Sequence, residues 1–231
     1  MDEKLINQFI NESKRLSKKL DIKGDFGNIS IRNEKSIYIK SSGSKLANLK
    51  KKDIIILDFD AEFDIMSSNA SVDTATHIAL YKAFPSIKCV IHSHSVYATS
   101  WSQASVNIPC LGTTHADHWN GEIPVTRKLT DKEIKGDYEK ETGKVIIEAI
   151  NKLNVNPLDC PGILVANHGP FTWGATIEDT VKHTEMLEYI AKLAWLSLSI
   201  NPNAKSISPA LINKHFFRKH GLEAYYGKNL D

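Results

Sequence analysis

Apolar positions change period along this chain, and each period predicts an element. Leu5, Phe9, Leu16 and Leu20 recur at helical spacing among polar residues and predict an amphipathic helix at the N-terminus. Gly27-Asn28-Ile29-Ser30-Ile31 and Ser36 to Lys40 read as two short strands, with Asn33-Glu34 as their turn. The continuous run Ile54-Ile55-Ile56-Leu57 predicts a buried strand, with Glu62 to Ile65 as its hairpin partner. A helix is expected from Asp73 to Ala83, stopped near Pro85. Cys89-Val90-Ile91 then reads as a buried strand, and Tyr97 to Ala104 as an apolar helix.

The segment from Ile108 to Arg127 has no period and carries Pro109 and Pro124, the kind of long irregular stretch that tends to be functional. Beyond it, a helix is expected from Gly143 to Leu153, a strand from Gly162 to Ala166, and another at Phe171-Thr172-Trp173-Gly174. Thr176 with Asp179 opens a long helix in capping-box fashion, and its stripe of Leu187, Ile190, Ala191, Ala194 and Leu198 faces a core. A last helix runs near Pro209 to His220. With no repeat, low-complexity segment or linker, residues 1–231 read as one α/β domain, a mainly antiparallel sheet covered by helices.

Composition narrows the function classes. At 42% hydrophobic and 24% charged the chain suits a soluble globular domain, and its formal net charge of +2 gives no reason to expect nucleic acid or a membrane surface as partner. Cys89, Cys110 and Cys160 form no Cys-x-x-Cys pair, so neither a disulfide framework nor a thiolate zinc site is expected. Reduced thiols point to a cytoplasmic location. The first twenty residues lack the apolar region of a signal peptide, and no apolar run is long enough to span a bilayer.

The chemistry lies in histidines. His92 and His94 follow the Cys89-Val90-Ile91 run, and residues two apart on a strand face the same way, so their rings can aim at one point. His168 ends the second strand-like run before a Gly-Pro turn. Three imidazoles leave one position of a zinc tetrahedron open, the arrangement of a catalytic zinc rather than a structural one. The alternative is two ordinary strand histidines, one buried and hydrogen-bonded and the other solvated.

Read in order, GNIS (Gly27 to Ser30), SSG (Ser41 to Gly43), DTATHIALYKAFPSI (Asp73 to Ile87), IHSH (Ile91 to His94), GTTHAD (Gly112 to Asp117), GEIPVTRKLT (Gly121 to Thr130), NHGPFTWG (Asn167 to Gly174) and KHFFRKHGLEAYYG (Lys214 to Gly227) span nearly the whole chain. Together they resemble the L-ribulose-5-phosphate 4-epimerase branch of the class II aldolase family. The resemblance implies a three-layer α/β/α domain and a homotetramer with active sites between subunits. It also implies a divalent metal, usually Zn2+ (or Mn2+ or Co2+), on His92, His94 and His168, with Asp73 completing the shell before substrate arrives. Asp73 would equally suit a helix N-cap, and His77, one turn on, competes as a ligand but is expected in the core.

The reaction implied is interconversion of L-ribulose 5-phosphate and D-xylulose 5-phosphate by retro-aldol cleavage and rejoining of C3–C4. Inverting C4 requires an acid/base group on each side of the aldehyde half. The resemblance puts Asp117 in one role and Tyr226, reaching from a neighbouring subunit, in the other. It places the substrate phosphate on Gly27, Asn28, Ser42, Gly43, Ser71 and Val72. His215 and Arg218 match positions near the family's site, either to position substrate or to pair with acids at a subunit contact.

The chain departs from the pattern twice. Val72 stands where a second serine is usual, and Ser41 where proline is common. Lys45 is close enough in sequence to compensate for the lost hydroxyl. The alternatives are a class II aldolase acting on another sugar phosphate, which would release the aldehyde, and a non-catalytic interaction module of the same fold, which would be expected to lose the metal ligands.

Overall fold

In the computed structural model, residues 3–20, 22, 24, 26–60, 68–220 and 224–226 are described. Their strands are β1 (Asn28–Arg32), β2 (Ser36–Lys40), β3 (Ile54–Asp58), β4 (Cys89–His92), β5 (Gly162–Leu164) and β6 (Pro170–Gly174). These form one sheet in the order β3-β2-β1-β4-β6-β5, every neighbouring pair antiparallel. The α-helices with bounds among the described residues are α1 (Glu3–Lys19), α2 (Thr74–Ala83), α3 (Val96–Ala104), α4 (Thr113–Ala116), α5 (Asp131–Lys135), α6 (Tyr138–Leu153), α7 (Ile177–Ile200) and α8 (Pro209–Phe217). None of them is long and apolar enough to cross a membrane.

Side chains alternate across the sheet and build two cores. Ile29, Ile31, Tyr38, Cys89 and Ile91 pack with Ile6, Phe9 and Leu16 of α1 and the start of α7. Their neighbours Ile37, Ile39 and Val90, with Phe171 and Trp173, pack on the other face with Leu80 and Tyr81 of α2, Ala98 of α3, Ile146 and Ile150 of α6, and Leu187 and Ile190 of α7. Burying each such side chain contributes roughly 1.5–3 kcal/mol. The expected three-layer α/β/α arrangement is therefore present.

Several local expectations shift. The buried stripe of α1 is Ile6, Phe9, Ser13, Leu16 and Ser17, with Leu5 and Leu20 only partly buried at its margin. β3 is an edge strand rather than a buried one: it pairs with β2 alone, and only Ile54 of its five residues is buried. Glu62 to Ile65 lies outside the described residues. β5 ends at Leu164, so His168 sits in the turn to β6 rather than on a strand, and His94 lies two residues beyond the end of β4. α4 interrupts the stretch read as irregular, and α5 lies beyond it where no element was expected, although α5 has a sequence signature: Thr130 and Glu133 form a reciprocal capping box.

α6 begins at Tyr138, five residues before the expected Gly143 start. Gly143 is instead the contact with α2: a Cβ there would lie 2.8 Å from Ala79 Cβ and 3.4 Å from Thr76 Cα. The Thr76 hydroxyl donates to the Glu139 carbonyl across the same contact. This close docking holds the first turn of α6 beside the N-terminus of α2.

Candidate metal centre

The sheet register brings the chemistry together. Asn28 of β1 lies opposite His92 of β4, at the end where β4 runs on through Ser93 to His94. Asn167, in a left-handed conformation at φ 61, turns the β5–β6 connection so that His168 faces the same point. Gly169 lets that turn approach the His92 segment, because a Cβ on it would lie 2.9 Å from the Ser93 carbonyl oxygen and 3.3 Å from His92 Cε1.

His92 is buried, and its Nδ1–H donates to the Pro170 carbonyl at 2.9 Å, leaving Nε2 as a lone-pair donor 3.0 Å from His94 Nε2. Nitrogen atoms of His92, His94 and His168 all lie within 4.8 Å of one another. Ligands ~2.0–2.1 Å from one tetrahedral ion would sit about 3.3 Å apart, so the spacing suits a single cation. Burial lowers the pKa of all three rings, most strongly at His92, where the charges of His168 and His94 add to it; at His94 and His168 the Asp73 carboxylate opposes the shift. The rings are thus neutral near pH 7, as metal ligation requires. The donor set fits a divalent metal with room for a further ligand.

Asp73 occupies the N-cap position of α2 but makes no side-chain cap bond. Its carboxylate instead accepts from Asn28 Nδ2 at 2.5 Å and lines the cavity containing the three histidines, outside the group whose atoms lie within 4.8 Å. His77 takes the expected core role. Its Nδ1 pairs with Ser30 Oγ at 2.7 Å, and burial, partly opposed by Asp73 and reinforced by His92, lowers its pKa to about 3.

The cavity has a volume of about 320 Å³, and Gly27, Asn28, Ser42, Gly43, Ser71 and Val72 all line it beside the histidines and Asp73. Two of the three loops are zipped together: Ser42 N–H donates to the Asn69 carbonyl and Ser71 N–H to the Lys40 carbonyl, each at 3.0 Å. These amides are occupied within the protein, leaving the N–H groups of Gly43 and Val72 without a partner among the described residues. Gly27 has φ 79, and a Cβ on it would meet the His92 carbonyl oxygen at 2.9 Å, so glycine joins this loop to the histidine strand.

Sequence reasoning missed Lys40, Tyr138, Glu139 and Phe26, which also line the cavity. Lys40 is buried, with its ammonium donating to the carbonyls of Ser44 at 2.7 Å and Ser41 at 3.2 Å. The available signal was its place at the end of β2, directly before the polar loop. Lys45, the residue expected to help, does not line the cavity.

Asp117 and Tyr226 lie together around a different cavity, of about 340 Å³, with Lys219 and His220. Asp117 accepts from His215 Nδ1 at 3.0 Å and from Arg218 Nε and Nη2 at 2.9–3.1 Å, while Lys219 Nζ stands 3.3 Å away. Partial burial would raise the Asp117 pKa, but bonds to Arg218 and His215 and the Lys219 charge outweigh it and hold the pKa below the usual carboxylate range. The Tyr226 ring lies under the Arg218 guanidinium, 4.5 Å from its centroid. His215 and Arg218 therefore pair with an acid of their own chain.

A profile described as Class II Aldolase and Adducin N-terminal domain matches residues 8–195. The chain belongs to the class II aldolase family. This class II aldolase family member is 46% identical over 205 residues, covering 88% of this chain and 89% of the relative, to L-ribulose-5-phosphate 4-epimerase UlaF of Salmonella paratyphi C (strain RKS4594). The same values hold for the UlaF protein of Salmonella typhi. Among solved structures, an L-fuculose 1-phosphate aldolase superposes with a TM-score of 0.76 at 19% identity, covering 94% of this chain and 97% of that one. L-Fuculose-1-phosphate aldolase from Thermus thermophilus gives 0.69 at 18% identity, covering 88% and 98%. The structural likeness establishes the class II aldolase fold.

Proposed function

We propose that this chain is a metal-dependent L-ribulose-5-phosphate 4-epimerase, interconverting L-ribulose 5-phosphate and D-xylulose 5-phosphate by C3–C4 cleavage and rejoining. The observation that carries this reading is one cavity joining three imidazoles to a serine, glycine and lysine loop pair. The 46% identity to curated 4-epimerases over most of both chains supports the choice of substrate. Zinc suits the three-imidazole donor set best.

In this reading His92, His94 and His168 hold the cation, and Asp73 supplies an oxygen donor that yields to substrate. When bound, the cation provides Lewis-acid stabilisation for the negative charge that C3–C4 cleavage leaves on the sugar oxygens. The substrate phosphate rests on the Gly43 and Val72 amides, the Ser42 and Ser71 hydroxyls and the Lys40 ammonium, with the Gly27-Asn28 loop closing one side. Anchoring the phosphate retains the aldehyde half while its carbonyl turns over. Asp117, kept ionised by Arg218, accepts the C4 hydroxyl proton on one face, and the Tyr226 phenol donates a proton on the other. Both residues surround a cavity other than that of the histidines, which supports a reading in which Asp117, and not Tyr226 alone, reaches the metal centre of a neighbouring subunit in a homotetramer.

Two experiments test this. The kcat/KM for L-ribulose 5-phosphate should exceed those for unphosphorylated L-ribulose and for a ketose 1-phosphate by at least ~100-fold, reflecting lost hydrogen bonds to a charged group; equal values would refute the assignment. Mixing inactive His94→Ala with inactive Tyr226→Phe subunits should restore activity. Mixing Asp117→Asn with Tyr226→Phe should not, because both residues of the pair come from one chain. Absence of recovery in the first mixture, after confirmed subunit exchange, would contradict the shared site.

A further inference from the structure

Each metal-facing imidazole must hold its proton on the nitrogen away from the cation, and the protein has to fix that choice. For His92 a backbone carbonyl does so, as Nδ1–H donates to Pro170 O at 2.9 Å. His168, in the β5–β6 turn, has no such backbone acceptor for its ring among the described residues. Its hydrogen-bonding neighbour is the Tyr138 hydroxyl, 3.4 Å from Nδ1, with the two rings 6.1 Å apart.

We propose that Tyr138 is the positioning residue for His168: its phenol oxygen accepts Nδ1–H, which fixes the tautomer that presents Nε2 to the cation. The inference rests on the metal-centre reading above and adds a residue that carries no ligand atom of its own.

The placement of Tyr138 follows from helix packing. It is the first residue of α6, and Gly143, one and a half turns on, permits the close approach to Thr76 and Ala79 of α2. Thr76 anchors the Glu139 carbonyl in the same first turn, while the Thr142 hydroxyl donates to the Tyr138 carbonyl at 2.9 Å. The tyrosine is thus held from both sides of its backbone. Because Asp73 lies at the N-cap of α2, the α2–α6 contact sets the positions of a cavity carboxylate and of the His168 partner together.

The test uses the full-length protein and readouts other than turnover. Zinc affinity is measured by competition with a chromophoric chelator for wild type, Tyr138→Phe and His94→Ala. Partners that orient metal-binding histidines typically contribute 10–100-fold in affinity, so Tyr138→Phe should bind zinc roughly 10- to 100-fold more weakly, with an unchanged melting temperature for the metal-free protein. Imidazole 15N shifts in metal-free protein should show His168 as the Nδ1–H tautomer in wild type and as a mixture in Tyr138→Phe. An affinity within about twofold of wild type and an unchanged tautomer, while His94→Ala has lost zinc, would overturn the role of Tyr138. Undiminished zinc binding by His94→Ala would overturn the metal centre itself. A changed KM without a changed zinc affinity would make Tyr138 a substrate contact and equally overturn the inference.

Discussion

Arg218 grips Asp117 through two nitrogens, with Nη2 2.9 Å from both carboxylate oxygens and Nε 3.1 Å from Oδ1. The pair ties α8 to the turn after α4, 101 residues apart in sequence, and fixes where Tyr226 lies. A carboxylate whose folded pKa is depressed stabilises the fold above its unfolded pKa of about 3.9, and that stabilisation is lost as pH falls through the lower folded value. Asp117→Asn should therefore lower stability by about 2 kcal/mol at pH 7, with the deficit constant from pH 5 to 8 and shrinking below pH 4. Denaturant unfolding at several pH values measures this. A deficit that does not shrink in acid would show that the charge is not the cause.

Lys40 and Lys45 make opposite predictions although they are near in sequence. Lys40 lines the cavity and Lys45 does not. Lys40→Met should raise the KM for the phosphosugar by roughly ten- to a hundredfold, the loss of one charge-assisted bond, whereas Lys45→Ala should leave it unchanged. Steady-state kinetics on both variants decide between them, and the reverse pattern would move the phosphate away from this loop.

Val72 is 53% exposed at the cavity wall, so a hydroxyl introduced there has room to reach a ligand. Val72→Ser should tighten phosphosugar binding by up to about tenfold, the value of one further hydrogen bond to a charged group. Calorimetric titration with substrate measures it directly. Weaker binding would mean that the valine makes an apolar contact the enzyme uses.

His77 is fully buried and its pKa is lowered to about 3, first by burial. The unfolded chain takes up a proton near pH 6.5 that the folded chain refuses, so stability falls as pH drops from 6.5 toward 3. Replacing the ring by an amide in His77→Gln removes this term. Wild type should lose stability more steeply than His77→Gln across that window in denaturant unfolding series, and parallel slopes would contradict the assignment.

What the sequence made legible was local. His92 and His94 stand two apart at a strand end, and the serine-glycine loops keep their glycines where φ is positive or backbones touch, so both could be found from spacing and motif. His168 was found by the same route, but its setting in a turn was not, because the apolar run Gly162 to Ala166 continues past the last ladder pair at Leu164. Tyr138 gave no signal: its contact with His168 bridges 30 residues, and Gly143 read as a helix start when close helix packing required it inside the helix. Asp117 and Tyr226 were recognisable as motif residues, whereas the Arg218 clamp that joins them exists only once α8 has docked. Lys45 was singled out and Lys40 passed over, because distance along the chain does not say which ammonium folds back over the loop.

Product analysis tests the 4-epimerase assignment itself. Purified, zinc-loaded protein is given L-ribulose 5-phosphate, and D-xylulose 5-phosphate and free glycolaldehyde phosphate are followed in the same sample. Epimer should form without appreciable free aldehyde, because the phosphate loops hold that half during its turnover. Cleavage fragments without epimer, or no reaction, would contradict the assignment.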